Sequence, residues 1–165
     1  MTGSAYHQTL SFLKQRFAEA GIDLHKKLGQ NFLIDLNLVR LIADSAELGP
    51  EDVVLEVGTG AGSLTAMLAE RAAVVITVEI DEDLYQLASE HLRQLPNVVM
   101  LHADALARKS LLNPDMLAEV EKHLAQGPNR RWKLAANLPY QIATPLLSNL
   151  LALDRPPESV SYTHL

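Results

Sequence analysis

Residues Val53–Gly62 have the sequence VVLEVGTGAG, in which a short apolar segment leads directly into three glycines at alternate positions. The β-branched run before the glycines is typical of a parallel strand buried on both faces, and Glu56 is the one charged residue inside it. The glycines, Gly58, Gly60 and Gly62, let the backbone turn sharply, adopt positive φ and approach a ligand closely. The stretch therefore predicts a strand, a ligand-binding turn and a helix.

The glycine spacing indicates which kind of ligand the turn binds. It reads G-x-G-x-G, whereas G-x-G-x-x-G is typical of turns that hold the pyrophosphate of NAD. A dehydrogenase is therefore a distant alternative. The acids Glu56, Glu79 and Asp104 favour a cationic nucleoside instead, and S-adenosylmethionine carries both an adenosine and a sulfonium charge.

Strand and helix patterns alternate along the rest of the chain. Further strands are predicted at Val74–Val78, Val98–Leu101 and Trp132–Ala136, the last being short and weak. Such alternation implies right-handed crossovers and a parallel sheet, hence a doubly wound α/β fold. We place the first strand at the centre, the second and third on one side and the fourth on the other.

Helix starts are marked by capping residues. An amphipathic helix is predicted over residues 6–20, and Asp35 and Asp81 are predicted N-caps of later helices. Asn113-Pro114 combines a cap with a proline at the first helical position, and Thr144-Pro145 is predicted to open the last helix in the same way.

Polar residues follow each predicted strand. Ligands of open α/β sheets bind outside the carboxyl ends of the strands, where we expect Gly58, Glu79, Asp104 and Asn137 to lie along one rim. Glu79 follows the glycines at the distance where an acid accepts from ribose hydroxyls, and Asp104 is placed to accept from an adenine amine. One acid at a strand end is most often a helix cap, but three in order predict a nucleoside site.

The segment Asn137-Leu138-Pro139-Tyr140 predicts a second substrate. An exocyclic amine of a base is a poor nucleophile, and its two N–H groups need acceptors that draw the nitrogen towards tetrahedral geometry. The Asn137 amide oxygen and a backbone carbonyl at Leu138 or Pro139 are such acceptors, and the proline stiffens the loop. Tyr140 offers a face on which a base can stack.

Length and composition limit the class of protein. With 165 residues, 48% of them hydrophobic, and no cysteine, the chain is expected to be one cytoplasmic domain without disulfides. Scattered histidines predict no metal site, and no apolar run is long enough to span a membrane. We expect a monomer. A net charge of −6 opposes nucleic acid binding on average, although Lys26, Lys27 and the group Arg130, Arg131 and Lys133 are candidate RNA contacts.

Five short motifs together resemble, in order, those of the ribosomal RNA adenine N6-dimethyltransferases, and most closely the branch that acts on the small subunit (16S rRNA). They are GQNFL at 29–33, EVGTGAGSLT at 56–65, VEID around Glu79, HADAL around Asp104 and NLPY at 137–140. The resemblance implies a Rossmann-like methyltransferase with S-adenosylmethionine bound by Asn31, Leu33, Gly58, Glu79, Asp104 and Asn137. Asn137 would also hold the target amine, and Glu56 and Gly60 are further candidate cofactor contacts.

The resemblance also implies a substrate. Members of the family dimethylate two adjacent adenines in a hairpin near the 3′ end of small-subunit rRNA, so the expected partner is this RNA within the pre-30S subunit. Two alternatives remain: a large-subunit methylase of the macrolide-resistance type, and a non-enzymatic RNA-binding assembly or transcription factor on the same fold.

Two departures from the family pattern concern the second half of the chain. The segment 106–131 is longer than expected, and residues 161–165 do not resemble the apolar strand that the family places there. We therefore expect residues 1–50, with helices and a cofactor-contacting loop, to form one unit with an incomplete methyltransferase domain at 51–165. Its carboxy-terminal part would be missing and the edge of the fourth strand unpaired.

Overall fold

A five-stranded parallel sheet forms the centre of the computed structural model, which describes residues 10–23 and 35–164. Its strands are β1 (Asp52–Val57), β2 (Val74–Glu79), β3 (Val98–His102), β6 (Arg131–Leu138) and β7 (Ser159–His164). A separate hairpin consists of β4 (Leu106–Arg108) and β5 (Leu111–Leu112). The helices are α1 (Leu10–Glu19), α2 (Leu36–Ser45), α3 (Ser63–Ala69), α4 (Glu82–Leu92), α5 (Pro114–Leu124) and α6 (Tyr140–Leu151).

The strand order is β3-β2-β1-β6-β7, so the predicted central position of β1 is confirmed. Every residue of β1 and β2 is buried, because helices cover both faces of the sheet. One face packs against α2 and α3, and the other packs against α5 and α6. Consecutive βαβ units on one side of β1 and a return on the other produce a doubly wound fold, as predicted.

The predicted helix caps form where local sequence places them. The Asp35 carboxylate accepts from Asn37 N at 2.9 Å, Asp81 accepts from Leu84 N at 3.0 Å and Asn113 accepts from Asp115 N at 2.9 Å. These side chains satisfy backbone N–H groups that a helix leaves without an internal partner. The three helices that follow therefore begin at the predicted positions.

The fourth strand of the sheet and the helix after it differ from the prediction. β6 spans eight residues rather than the short stretch Trp132–Ala136, because it pairs with β1 on one side and with β7 on the other. Helix α6 begins at Tyr140 with Pro139 as its N-cap, so the prediction that Thr144 caps it was wrong. Pro145 lies inside this helix, where burial of Leu146 and Leu150 offsets its missing backbone N–H.

The expectation of an unpaired edge beside the fourth strand is also wrong. Residues Ser159–His164 form β7, which pairs in parallel with β6 from Lys133↔Ser159 to Leu138↔His164. The sequence SVSYTH alternates Ser, Thr and apolar residues, and therefore looks weak as an isolated segment. A strand with little intrinsic preference forms here because the neighbouring strand supplies its hydrogen bonds.

The N-terminal helix α1 packs against the glycine turn. Leu13 and Phe17 are buried in a cluster with Ala61 of the turn and with Leu84 and Leu87 of α4. An ion pair between Arg16 and Glu90 joins α1 to α4. The amphipathic pattern predicted for this region is thus used to cover the turn that follows β1.

Gly62 should tolerate no side chain. Its φ is +84°, and an added Cβ would lie 3.0 Å from Leu92 Cδ1. We expect Gly62→Ala to lower the free energy of unfolding by about 1–2 kcal/mol for the left-handed conformation, plus a further loss from the contact. Gly21→Ala is the matched control, because Gly21 has φ +69° with no atom within 4 Å of an added Cβ. Equal losses in urea unfolding would show that the Leu92 contact costs nothing.

Candidate active site

A cavity of about 840 Å³ lies at the carboxyl ends of the parallel strands. It is lined from β1 and its glycine turn, from the residues that follow β2 and β3, and from the junction of β6 with α6. This volume is within the range of about 300–1,000 Å³ that is usual for small-molecule sites. The predicted rim residues Gly58, Glu79, Asp104 and Asn137 all line it.

The glycine turn follows β1 and contacts the two strands that flank it, β2 and β6. Gly58, Gly60 and Gly62 have φ values of +84°, +57° and +84°, as expected for a turn that only glycine adopts readily. The Gly58 N–H donates to the Val78 carbonyl at 2.8 Å. A Cβ on Gly58 would lie 3.7 Å from the Asn137 carbonyl oxygen. The turn thus places backbone without side chains between the β2 side and the β6 side of the cavity.

Glu79 holds the glycine turn as well as facing the cavity. Its Oε2 accepts from Gly60 N at 2.9 Å and its Oε1 accepts from Asp81 N at 2.9 Å. Burial raises the pKa of this carboxyl above its usual value and the Asp81 charge adds to the rise, while the backbone N–H groups of Asp81, Gly60 and Ile80 oppose it. A carboxylate has about four acceptor positions, so Glu79 can hold this turn and still accept from a ligand hydroxyl.

Asp104 is exposed at the mouth of the cavity and is fixed by the β4–β5 hairpin. Its Oδ1 accepts from Leu106 N at 2.9 Å, and Asn113 Nδ2 donates to its carbonyl at 2.8 Å. The hairpin forms the first part of the segment that seemed long in the sequence. This part of the segment therefore positions Asp104 at the rim of the cavity.

Glu56 lies at the base of the cavity with only 1% of its surface exposed. Its Oε2 accepts from Thr65 Oγ1 at 2.5 Å and from Thr77 Oγ1 at 2.7 Å. Burial raises the pKa of this carboxyl to about 8, and the two hydroxyl donors only partly offset the effect.

The four residues predicted to bind the target base occupy different environments. Asn137, at the end of β6, and Pro139 line the cavity half-buried, while Tyr140 lines it with 69% of its surface exposed. Leu138 is fully buried in the core and is not among the lining residues. The Pro139 carbonyl already accepts from Ile142 N at 3.0 Å and Ala143 N at 3.2 Å, so the Leu138 carbonyl is the better candidate acceptor.

Sequence reasoning missed several residues that line the cavity, namely Thr59, Ile80, Asp81, Gln141 and Ile142. Asp81 was predicted only as a helix cap. Gln141 and Ile142 were missed because the predicted N-cap of the last helix, Thr144, lies about five residues after the observed N-cap, Pro139. A proline that follows a strand-end turn and precedes a helical pattern is the signal that could have located them.

Two predicted cofactor residues, Asn31 and Leu33, lie outside the described residues, as do Lys26 and Lys27. The structure does describe the other basic group, in which Arg131 and Lys133 form ion pairs, and their role in RNA binding stays a prediction. Both lie in the amino-terminal half of β6, at the opposite end of the sheet from the cavity, and both pair with the buried Asp52. Both charges are balanced by the Asp52 carboxylate.

The charge of the cavity wall favours a cation. Four carboxyl groups line it, those of Glu56, Glu79, Asp81 and Asp104. Among the described residues, none of the lining side chains is Lys, Arg or His. A dinucleotide pyrophosphate would meet unfavourable charge here, whereas a sulfonium or an ammonium would be stabilised. In residues 10–23 and 35–164, no group of three or more His, Asp or Glu side chains is arranged to hold a metal ion.

Comparison with known proteins identifies the family. The sequence profile of the ribosomal RNA adenine dimethylase family matches residues 21–165. The chain belongs to this family. Among curated relatives, the "Ribosomal RNA small subunit methyltransferase A" of Pediococcus pentosaceus is 45% identical over 136 residues, which cover 82% of this chain and 43% of the relative. The protein of the same name from Moorella thermoacetica is 44% identical over 133 residues, covering 81% and 45%.

A solved structure that is similar to this chain is that of the 23S rRNA methyltransferase ErmE. It is 30% identical, with a TM-score of 0.58, and the match covers 76% of this chain and 44% of that one. The chain therefore spans less than half the length of the relatives it matches. Within the part of the chain that the structure describes, no helix is long and apolar enough to cross a bilayer.

Proposed function

We propose that the chain binds S-adenosylmethionine and transfers methyl groups to the N6 amines of two adjacent adenines in small-subunit rRNA. The target is a hairpin near the 3′ end of this RNA in the pre-30S subunit, during ribosome assembly. The observation that carries the proposal is the position of Asn137–Tyr140 at the edge of an acid-lined cavity. The names of the most similar curated relatives support the small subunit as the substrate.

The residues of the cavity fit this cofactor. Gly58 and Gly60 offer backbone without Cβ atoms, Glu79 offers two carboxylate oxygens for ribose hydroxyls, and Asp104 offers an acceptor for the adenine amine. Glu56 adds a buried carboxyl at the base of the cavity. Asn31 and Leu33 complete the set by resemblance to the family. When bound, the cofactor supplies a methyl group that its sulfonium charge makes electrophilic.

The substrate amine is held by groups at the end of β6. The Asn137 amide oxygen and the Leu138 carbonyl accept its two N–H groups and draw the nitrogen lone pair towards the cavity. Tyr140, exposed at the first position of α6, stacks on the extruded adenine. The amine becomes acidic as it is alkylated, so its proton passes to solvent without a dedicated base.

A ribosomal substrate implies that the protein works in the cytoplasm. The protein acts as a monomer in the cytoplasm, without membrane contact, and residues 1–50 work as one unit with residues 51–165. The macrolide-resistance alternative acts on large-subunit rRNA, and a solved protein of that substrate class shares less sequence identity with this chain than the small-subunit relatives do. A purely RNA-binding role would leave the acidic cavity without a ligand.

We expect Glu79→Ala to weaken S-adenosylmethionine binding by about 1–3 kcal/mol, or roughly 5- to 150-fold. The substitution removes the acceptor for the ribose and releases the Gly60 N–H that shapes the turn. Glu82→Ala is the control, because Glu82 is an exposed neighbouring acid that accepts a hydrogen bond from the Gln86 side chain. Calorimetry on the purified chain that gave equal affinities for both variants would remove Glu79 from the site.

The decisive experiment for the whole proposal uses a chimera. This chain would be followed by the carboxy-terminal portion of the Pediococcus relative and assayed on small ribosomal subunits that lack adenine methylation. We expect N6,N6-dimethyladenine at two adjacent positions of the 3′ hairpin, mapped by mass spectrometry. Methyl groups on large-subunit rRNA, or none on any RNA despite cofactor binding, would contradict the proposal.

A further inference from the structure

Glu56 is an acidic residue in the buried interior of β1, where the other side chains are apolar except for Asp52 at the start of the strand. Its two oxygens differ. Oε2 accepts from Thr65 Oγ1 and Thr77 Oγ1, whereas Oε1 is buried and has no hydrogen-bond partner among the described residues. A buried polar atom without a partner is unfavourable, so a ligand that satisfies Oε1 recovers this cost.

The hydroxyl groups around Glu56 form a chain that leads back to the glycine turn. Thr77 Oγ1 lies 2.6 Å from Thr59 Oγ1, and Thr59 lines the cavity. Each hydroxyl has one proton. With Thr65 and Thr77 donating to Oε2, Thr59 donates to Thr77, and every hydroxyl in the chain is used.

This arrangement decides where a proton on Glu56 sits. A proton on Oε2 would displace one of the two threonine donors and reverse part of the chain. A proton on Oε1 leaves all these hydrogen bonds in place. Neutral Glu56 therefore carries its proton on Oε1, and ionised Glu56 presents a bare oxygen at the same atom.

The surroundings of Glu56 favour its neutral form. The burial that raises its pKa is reinforced by Glu79 at the end of β2, which is an additional negative charge. Among the described residues of α3 and β2, Thr65 and Thr77 contact the Glu56 carboxyl, and both do so through their hydroxyl groups. The remaining acids of the cavity wall are Asp81 and Asp104, and no basic side chain among the described lining residues balances them.

We propose that Glu56 loses its Oε1 proton when the cationic end of S-adenosylmethionine enters the cavity, so that cofactor binding releases a proton. Thr65 and Thr77 act as positioning residues, because they hold Oε2 and leave Oε1 for the ligand. The proton leaves to solvent, and the ionised carboxylate forms an ion pair with the cation. This inference rests on the proposed cofactor but adds a charge change in the protein.

The affinity should then depend on pH in a defined direction. The ligand binds the ionised form, which is the minor form below a pKa of about 8. Affinity for S-adenosylmethionine therefore rises with pH by up to about tenfold per unit between pH 6 and 7, and levels off above pH 8. 5′-Methylthioadenosine, a neutral nucleoside with the same ribose, should show no such rise.

The proton can be counted by calorimetry of the 165-residue chain at pH 7 in two buffers with different ionisation enthalpies. We expect most of one proton to be released with S-adenosylmethionine and none with 5′-methylthioadenosine. Release with both ligands would assign the proton to the ribose site and overturn the inference, as would release with neither. Failure of S-adenosylmethionine to bind at all would instead contradict the proposed function.

Three variants separate the roles of the residues. Glu56→Gln should abolish proton release and flatten the pH dependence, and Glu79→Gln should bind more weakly but still release the proton. Thr77→Val should shift the pH dependence upward, and Thr77→Ser should restore it. If Glu56→Gln does not fold, infrared spectroscopy of the unmodified chain replaces it. A carboxylic acid band that persists after S-adenosylmethionine is added would overturn the inference.

Discussion

Replacing Asp52 with alanine is expected to lower the free energy of unfolding by about 3–5 kcal/mol, the usual cost of breaking a buried ion pair from one side. Asp52 is fully buried at the amino end of β1. Its carboxylate contacts Arg131 Nε at 2.8 Å, Lys133 Nζ at 3.0 Å and Gly49 N at 2.7 Å. Without it, the ammonium of Lys133 stays buried and keeps, among the described residues, the carbonyls of Ala46 and Glu47 as partners.

An exposed ion pair of similar length is the control for Asp52. Asp44 pairs with Arg71 at 2.7 Å, but 63% and 41% of the two side chains are exposed. We expect Asp44→Ala to cost about 0–1 kcal/mol, because water screens and replaces the interaction. Both variants would be measured by urea unfolding. Losses of equal size would mean that the burial of Asp52 contributes nothing to the strength of its contacts.

Tyr140→Ala should reduce methyl transfer by roughly 5- to 150-fold, since base stacking on an aromatic ring contributes about 1–3 kcal/mol. The ring is largely exposed and lies beside Asn137 at the cavity edge. Because it is assigned to the adenine, the affinity for S-adenosylmethionine should change by no more than about twofold. The assay is methylation of small ribosomal subunits by the chimera, paired with calorimetry of the cofactor.

Two further variants test whether Tyr140 acts through its ring. Tyr140→Phe keeps the stacking face and should retain most of the activity. Tyr162→Ala removes another exposed tyrosine, on β7, and should leave both measurements nearly unchanged. Equal losses of cofactor affinity and methylation in Tyr140→Ala would show that this residue packs the cavity instead of binding the base.

The parts of the fold that the sequence predicts are those set by local chemistry. The glycine turn, the caps at Asp35, Asp81 and Asn113, and the first three strands depend on neighbours within a few residues. Such features are encoded by conformational preference and apolar period alone. The rim acids follow from them, because parallel strands bring their carboxyl ends to one edge of the sheet.

The parts that escaped prediction depend on partners far away in the chain. β7 forms because β6 offers it a hydrogen-bonding edge, and β6 extends to Leu138 for the same reason. Lys133 resembles a surface cation in the sequence, but its partner Asp52 is brought to it by the pairing of two distant strands. The hydroxyl chain around Glu56 likewise joins three segments, and no single segment reveals it.

The pairing of β1 with two neighbours affects how the protein folds. Val53 pairs with Val74 in β2 and with Trp132 in β6, which are separations of about 20 and about 80 residues. Closing the longer loop costs about 1.2 kcal/mol more in chain entropy. Half of the candidate site, from the glycine turn to Glu79, can therefore assemble through short-range contacts, whereas Asn137 arrives only with the long closure. A molecule that touches both halves would bias the folding equilibrium towards the completed sheet.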